Sequence, residues 1–201
     1  MQKVKPIVGC GKGIEIDNSN FVDFKSPIRK FRNGFLPHWE QEGVMQFITI
    51  RLKDSLPESK LRELLDFKMK FQSMEEEMES MNERLKSIDY WLNQGNGECL
   101  LKYDEIQGLI VNCLNFYDGV LYYLFDYVVM PNHLHFLIIP IESVESIIAR
   151  IKSYTTVQAN KILKRKGKIW QKEYFDRMIR NLGDFETTVE YIKGNPQGLK
   201  K

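Results

Sequence analysis

Within the run "DYVVMPNHLHFLIIP" stand two histidines one residue apart, His133 and His135, and the chain has only one other, His38. In a β-strand alternate side chains share a face, so both imidazoles point one way while Leu134 and Phe136 point the other. Apolar neighbours desolvate the rings and favour neutral imidazole, the form that ligates metal. The pair can therefore converge on one ion, or it can be two satisfied core histidines. Two imidazoles do not complete a reactive centre, which needs a further protein ligand and positions open to substrate or water.

A candidate for that further ligand lies in the C-terminal stretch "DFETTVEYIKGNPQGL". Its helical spacing puts Phe185, Val189 and Ile192 on a core stripe and sets Tyr191 and Asn195, four residues apart, together on another face. Asn195 precedes Pro196, which disfavours helical backbone and ends the helix there. Taken alone, Tyr191 is equally an amphipathic residue at a packing edge. The net charge of +2 selects no polyanionic partner, but its distribution is uneven. Residues 57–90 carry nine acidic and six basic side chains, whereas 161–180 carry eight basic and two acidic. The basic run is either solvated surface or a footprint for phosphates.

The elements that must hold these residues can be read in outline. At 201 residues and 43% apolar composition the chain can bury one substantial core. Residues 1–35 show no sustained periodicity and read as an extended arm. "VMQFITIRL" predicts a first strand over Val44–Leu52. "DSLPES" opens a helix, with Asp54 or Ser55 at the cap and Pro57 in the first turn. That helix runs to about Tyr90 on Leu61, Leu64, Leu65, Phe67, Phe71, Met74, Met78, Met81 and Leu85, the methionines reading as packing residues. "NQGNGE" breaks it, and a second helix covers Tyr103–Phe116. Leu121–Val129 and His133–Ile139 form a hairpin about "MPN". No window has the roughly 18 apolar residues of a membrane span, and "MQKVKPIVGCGKG" lacks the apolar block of a secretory signal, so a cytoplasmic protein is expected. Cys10, Cys99 and Cys113 have neither CxxC spacing nor a paired framework and read as reduced thiols without a role.

Four segments in order, "YVVMPNHLHFLIIP", "IIARIKSYTTVQANKIL", "GKIWQKEYFDRMIRN" and "YIKGNP", resemble the REP-associated tyrosine transposases of the single-tyrosine HUH endonuclease superfamily. Upstream, "LPHWEQEGVMQFITIRLKDSLP" resembles the first strand of that family, so the likeness spans about Leu36 to Leu199. The resemblance implies an α+β, ferredoxin-like HUH endonuclease domain over 36–201, after an extension of 1–35, with the histidines on a central strand of an antiparallel sheet. It implies a DNA transposase that nicks and rejoins single-stranded DNA at palindromic hairpins through a 5′-phosphotyrosine. In that reading His133, His135 and Asn195 hold Mg²⁺ or Mn²⁺, Tyr191 is the nucleophile, and a monomer is favoured.

A hard divalent ion suits such chemistry by polarising phosphate oxygens, and a phosphotyrosine stores bond energy that a 3′-hydroxyl can recover. The sequence names no general base. Lys161, Lys164, Arg165, Lys166, Lys168 and Lys172 lie between the two catalytic segments and could hold the DNA backbone, while Trp170 and Tyr174 could stack bases or simply pack. Two other readings stay open. One is a metal-dependent hydrolase built on His38, His133 and His135; the other is a hairpin-binding protein without catalysis. Tyr154 and Tyr174 compete with Tyr191 as nucleophile.

Overall fold

The computed structural model describes residues 16–32, 36–57, 59–60, 72–195 and 199–200. In chain order the elements are β1 (Arg29–Arg32), β2 (Pro37–Glu40), β3 (Gln46–Arg51), α1 (Met74–Leu92), α2 (Asp104–Tyr117), β4 (Tyr122–Val129), β5 (His133–Pro140), α3 (Val144–Ile162), β6 (Phe175–Met178), α4 (Leu182–Gly194) and β7 (Leu199–Lys200). Five strands make an antiparallel sheet in the order β6-β3-β5-β4-β7, which puts the histidine strand in the middle. The path β3-α2-β4-β5-α3-β6 is the βαββαβ arrangement of ferredoxin-like folds, as expected for an α+β protein. Among the described residues no helix is long and apolar enough to cross a membrane.

Side-chain alternation divides the core between the two sheet faces. Leu134, Phe136 and Ile138 join Ile48 and Ile50 beneath α2 and α3, whose Ile106, Ile110, Leu114, Ile147 and Ile151 close that layer. The opposite face carries Phe47, Val128, Leu137 and Ile139 beneath α4, which contributes Phe185 and Ile192. His133 and His135 share this second face with Leu137. Every residue of β3 is buried, because both faces are covered. Full burial of one such apolar side chain contributes about 1.5–3 kcal/mol. A bulge between Leu124 and Asp126 shifts the register of β4 against β5, so Tyr122, Leu124, Tyr127 and Val129 still reach the first layer.

Residues 16–32 depart from the expected arm. Asp17 caps a short 3₁₀ turn with Asn20 in a reciprocal capping box, and Ile16 and Phe21 are buried in the second layer. Two isolated apolar residues make no periodic signal, yet they fill a gap beside Met45 and Ile179. β1 and β2 pair as a hairpin, and Lys30 forms an ion pair with Glu77 of α1. Residues 1–15 and 33–35 lie outside the described residues.

The helix expected from Pro57 to Tyr90 is not one helix. Ser73 is a new N-cap whose hydroxyl accepts from the Glu76 amide at 3.1 Å, and Glu75, Glu76 and Glu77 sit where the helix dipole favours negative charge. Leu61, Leu64, Leu65, Phe67 and Phe71 fall outside the described residues. Met78, Met81, Ile88 and Leu92 are buried against Trp39, Phe175 and Met178, while Met74 is exposed. After α1 the chain turns through Gly97, at φ +86°, where a Cβ would lie 2.7 Å from Asp54 and only glycine fits.

His38 of β2 is buried far from the sheet centre in a partnership of its own. Its Nδ1 lies 2.5 Å from Asp176 Oδ1, and its ring stacks between Phe31 and Tyr174 at centroid distances of 5.3 and 4.2 Å. Burial raises the Asp176 carboxyl above its usual range, and the bond to His38 opposes that shift. His38→Ala should therefore lower stability by about 3 kcal/mol, because it strands a buried acid, and the loss should appear as a lower urea midpoint at unchanged m-value.

Candidate active site

The site grows from the turn that precedes β5. Asn132 is buried, and its amide nitrogen donates to the carbonyls of Leu92 at 3.1 Å and Asn96 at 3.0 Å. Carbonyl oxygens only accept, so these two bonds fix which way the amide faces and turn Oδ1 toward His133. That oxygen is 2.7 Å from His133 Nδ1 and can only accept, so Nδ1 carries the proton and Nε2 keeps its lone pair. His133 Nε2 is buried without a hydrogen-bond partner among the described residues. A buried, unpaired imidazole lone pair is what a metal ligand requires, and the Asn132 bond is the outer contact that orients it.

His135 is arranged in parallel. Thr49, directly opposite it on β3, has Oγ1 2.7 Å from His135 Nδ1, which leaves Nε2 facing the second layer. The two imidazole centroids are 4.6 Å apart. Burial lowers the His135 pKa to about 3 and, together with the charge of His135, holds His133 well below the usual histidine range. Both rings are neutral at any physiological pH. The pair thus fits a divalent ion, although among the described residues no three His, Cys, Asp or Glu side chains are yet gathered around one point.

Tyr191 reaches the same place from α4. Phe185, Thr188 and Ile192 are buried on the helix, and Tyr191, off that line, is half-buried with its ring edge-on to Phe47. Its hydroxyl lies 3.3 Å from His135 Nε2. Asp89 and Asn93, one turn apart at the end of α1, act on the same phenol, and Asp89 Oδ1 is 3.9 Å from His135 Nε2. Burial, then the Asp89 charge, raise the Tyr191 pKa above that of a free phenol. Burial likewise pushes the Asp89 carboxyl up to about 7, against the opposing bond to Tyr191 and the charge of Arg177. A cavity of about 440 Å³ opens onto Thr49, Asp89, Arg177, Arg180 and Tyr191.

Other expected residues fall as follows. Asn195 is buried at the C-cap of α4, and its amide makes no hydrogen bond to either imidazole among the described residues. Lys161, Lys164, Lys166, Lys168 and Lys172 are exposed, around the end of α3 and the loop after it, and Arg165 pairs with Glu98 at 2.6 Å. Trp170 is buried with its indole donating to Thr155 at 2.8 Å, so it packs. Tyr174 is buried beside His38, and Tyr154 is exposed on α3, each apart from the histidine pair. His38 is bound to Asp176, not to the pair. Asn132, Thr49 and Asp89 were not anticipated as site residues. Asn132 showed only a turn signal, Thr49 depends on strand register, and Asp89 is one acid among nine in its segment.

The raised Asp89 pKa fixes a pH dependence. Between about pH 4 and 7 the folded chain keeps this group protonated while the unfolded chain ionises it, so unfolding releases a proton and stability falls as pH rises. Above that window the penalty is constant. In chelator, Asp89→Asn should melt at a higher temperature than wild type at pH 8, and the gap should close toward pH 4; an equal gap at both pH values would remove the cause assigned to it.

Comparison with known proteins follows the same residues. No curated protein matches the chain. A solved structure described as "Structure of the REP associates tyrosine transposase bound to a REP hairpin" is similar at 19% identity over 84% of this chain and 72% of that one, with a TM-score of 0.41. Residues 109–195 match the family model described as "Transposase IS200 like". That matched segment, similar to IS200-like transposases, holds His133, His135, Tyr191 and Asn195.

Proposed function

We propose that the chain is a single-strand DNA transposase that nicks and rejoins a palindromic hairpin, with Tyr191 as nucleophile and a divalent ion held by His133, His135 and Asn195. The observation that carries this reading is the Tyr191 hydroxyl 3.3 Å from Nε2 of one member of a buried, neutral imidazole pair. The phenol meets a ring nitrogen of one histidine, while the other histidine keeps a buried lone pair unpaired among the described residues.

The chain's own groups divide the work. The Tyr191 phenol gives up its proton to solvent and its oxygen attacks the scissile phosphorus in line; the Oη–P bond forms as the P–O3′ bond breaks, and the departing 3′-oxygen takes a proton from solvent to become a hydroxyl, so no proton is gained or lost overall. The 5′-phosphate stays on Tyr191 until another 3′-hydroxyl attacks it and restores the phenol. In the metal-free protein the Tyr191 hydroxyl rests 3.3 Å from His135 Nε2, the nitrogen that would turn to the ion when it binds. Mg²⁺ or Mn²⁺, when bound, supplies charge stabilisation at the phosphate oxygens. Lys161, Lys164, Arg165, Lys166, Lys168 and Lys172 hold the backbone of the strand, with positioning rather than base reading as their role.

Incubation with a labelled single-stranded hairpin from the flank of its own gene, with Mg²⁺ or Mn²⁺, should give a covalent protein band on a denaturing gel. Tyr191→Phe should abolish the band while hairpin binding persists, and peptide mapping should place the nucleotide on Tyr191; a band surviving in that variant would move the nucleophile to Tyr154 or Tyr174. Neutralising the lysines of the 161–172 run should flatten the slope of log affinity against log salt by about 0.7 for each phosphate no longer neutralised. An unchanged slope would return the run to solvated surface.

A further inference from the structure

Resting on that metal reading, we propose that Asp89 is an acidic ligand of the divalent ion, carried to His133 and His135 by α1, a helix outside the matched segment 109–195. Three observations converge on it. First, its Oδ1 is 3.9 Å from His135 Nε2. Two donors on one octahedral ion with bonds of about 2.1 Å stand ~3.0 Å apart when adjacent and ~4.2 Å when opposite, and the observed separation lies within the span that one ion bridges, nearer the opposite arrangement. Second, His133 Nε2 is buried with a free lone pair in the same place, its ring 4.6 Å from that of His135. Third, the charge count is unfavourable without a cation. The Asp89 carboxyl faces a phenol and two neutral rings, and Arg177 is already committed, at 2.8 and 2.9 Å, to the two oxygens of Asp184. A largely buried carboxylate whose nearest cation, Arg177, is shared with another acid costs stability, and a bound ion would complete it.

Ligand chemistry points the same way. Two imidazoles and one amide are all neutral, whereas hard ions such as Mg²⁺ and Mn²⁺ are usually held in proteins with the help of one or two carboxylates. Asp89 provides that charge, and it does so from the wall of the cavity shared with Tyr191 and Arg177. Its approach is fixed by the protein itself. Asn132 binds the carbonyl of Leu92, three residues on from Asp89, and in the same amide sets the tautomer of His133. One side chain therefore places the acid-bearing helix end and orients the first histidine.

The test is a Mn²⁺ titration of the DNA-free protein, followed by the electron paramagnetic resonance signal of free Mn²⁺. Asp89→Asn should weaken binding by at least the ~10-fold typical when a hydrogen bond to a metal ligand is removed, with folding verified by circular dichroism. In Asp89→Cys, Cd²⁺ should give a thiolate-to-metal charge-transfer band. Wild-type Mn²⁺ affinity in Asp89→Asn, with affinity lost in His133→Ala, would overturn Asp89 as a ligand and leave the metal reading standing. Cd²⁺ binding by folded Asp89→Cys without the band would overturn it equally. Wild-type affinity in His133→Ala, His135→Ala double variants would instead bring down the metal reading itself.

Discussion

The site depends on one buried amide. Asn132 commits both of its hydrogens to carbonyls at the end of α1, and this leaves its oxygen no choice but to accept from His133. From that single constraint follow the tautomer of the first histidine, the direction of its lone pair, and the docking of a helix that arrives some forty residues earlier in the chain. Thr49 performs the matching service for His135 across the β3–β5 register. A one-residue slip of that register would carry Thr49 to the other face and break this hydrogen bond. The sheet is therefore a positioning device as well as a core.

Around that device the protein keeps polar groups where apolar ones would be more stabilising. Two neutral imidazoles, a phenol and a carboxyl share a space lined by Phe47. Desolvation acts on each against charge: the rings stay deprotonated, the phenol keeps its proton, and the carboxyl is pushed up. The layers of aliphatic side chains beneath α2, α3 and α4 offset this cost by sheer burial.

Much of this was legible in the sequence because it depends on short-range periodicity. The one-residue gap between His133 and His135 puts them on one face of any strand, and the four-residue step from Tyr191 to Asn195 puts them on one face of any helix. The hairpin followed from β-type runs bounded by turn residues, and the central place of its second strand from the family resemblance. What the sequence hid were relations between distant segments. Asp89 has no local mark among the other acids of its region, and its meaning comes only from where α1 ends. Ile16 and Phe21 looked like parts of an arm because two scattered apolar residues carry no period, though they close the second layer. The helix break at Ser73 was masked by a run of strong helix formers on both sides. The pairing of β7 with β4 involves two residues, too few to leave a pattern.

That last pairing bears on how the protein meets copies of itself. β4 borders the sheet, with its outer side paired to Leu199 and Lys200 at Val128 and Val129, and a bulge interrupts its register at Phe125. A strand edge recruits another strand only where a flat, regular row of amides and carbonyls is offered. Here the row is kinked at its middle and covered at one end. Edge-to-edge addition of another copy is thereby discouraged along this border of the sheet.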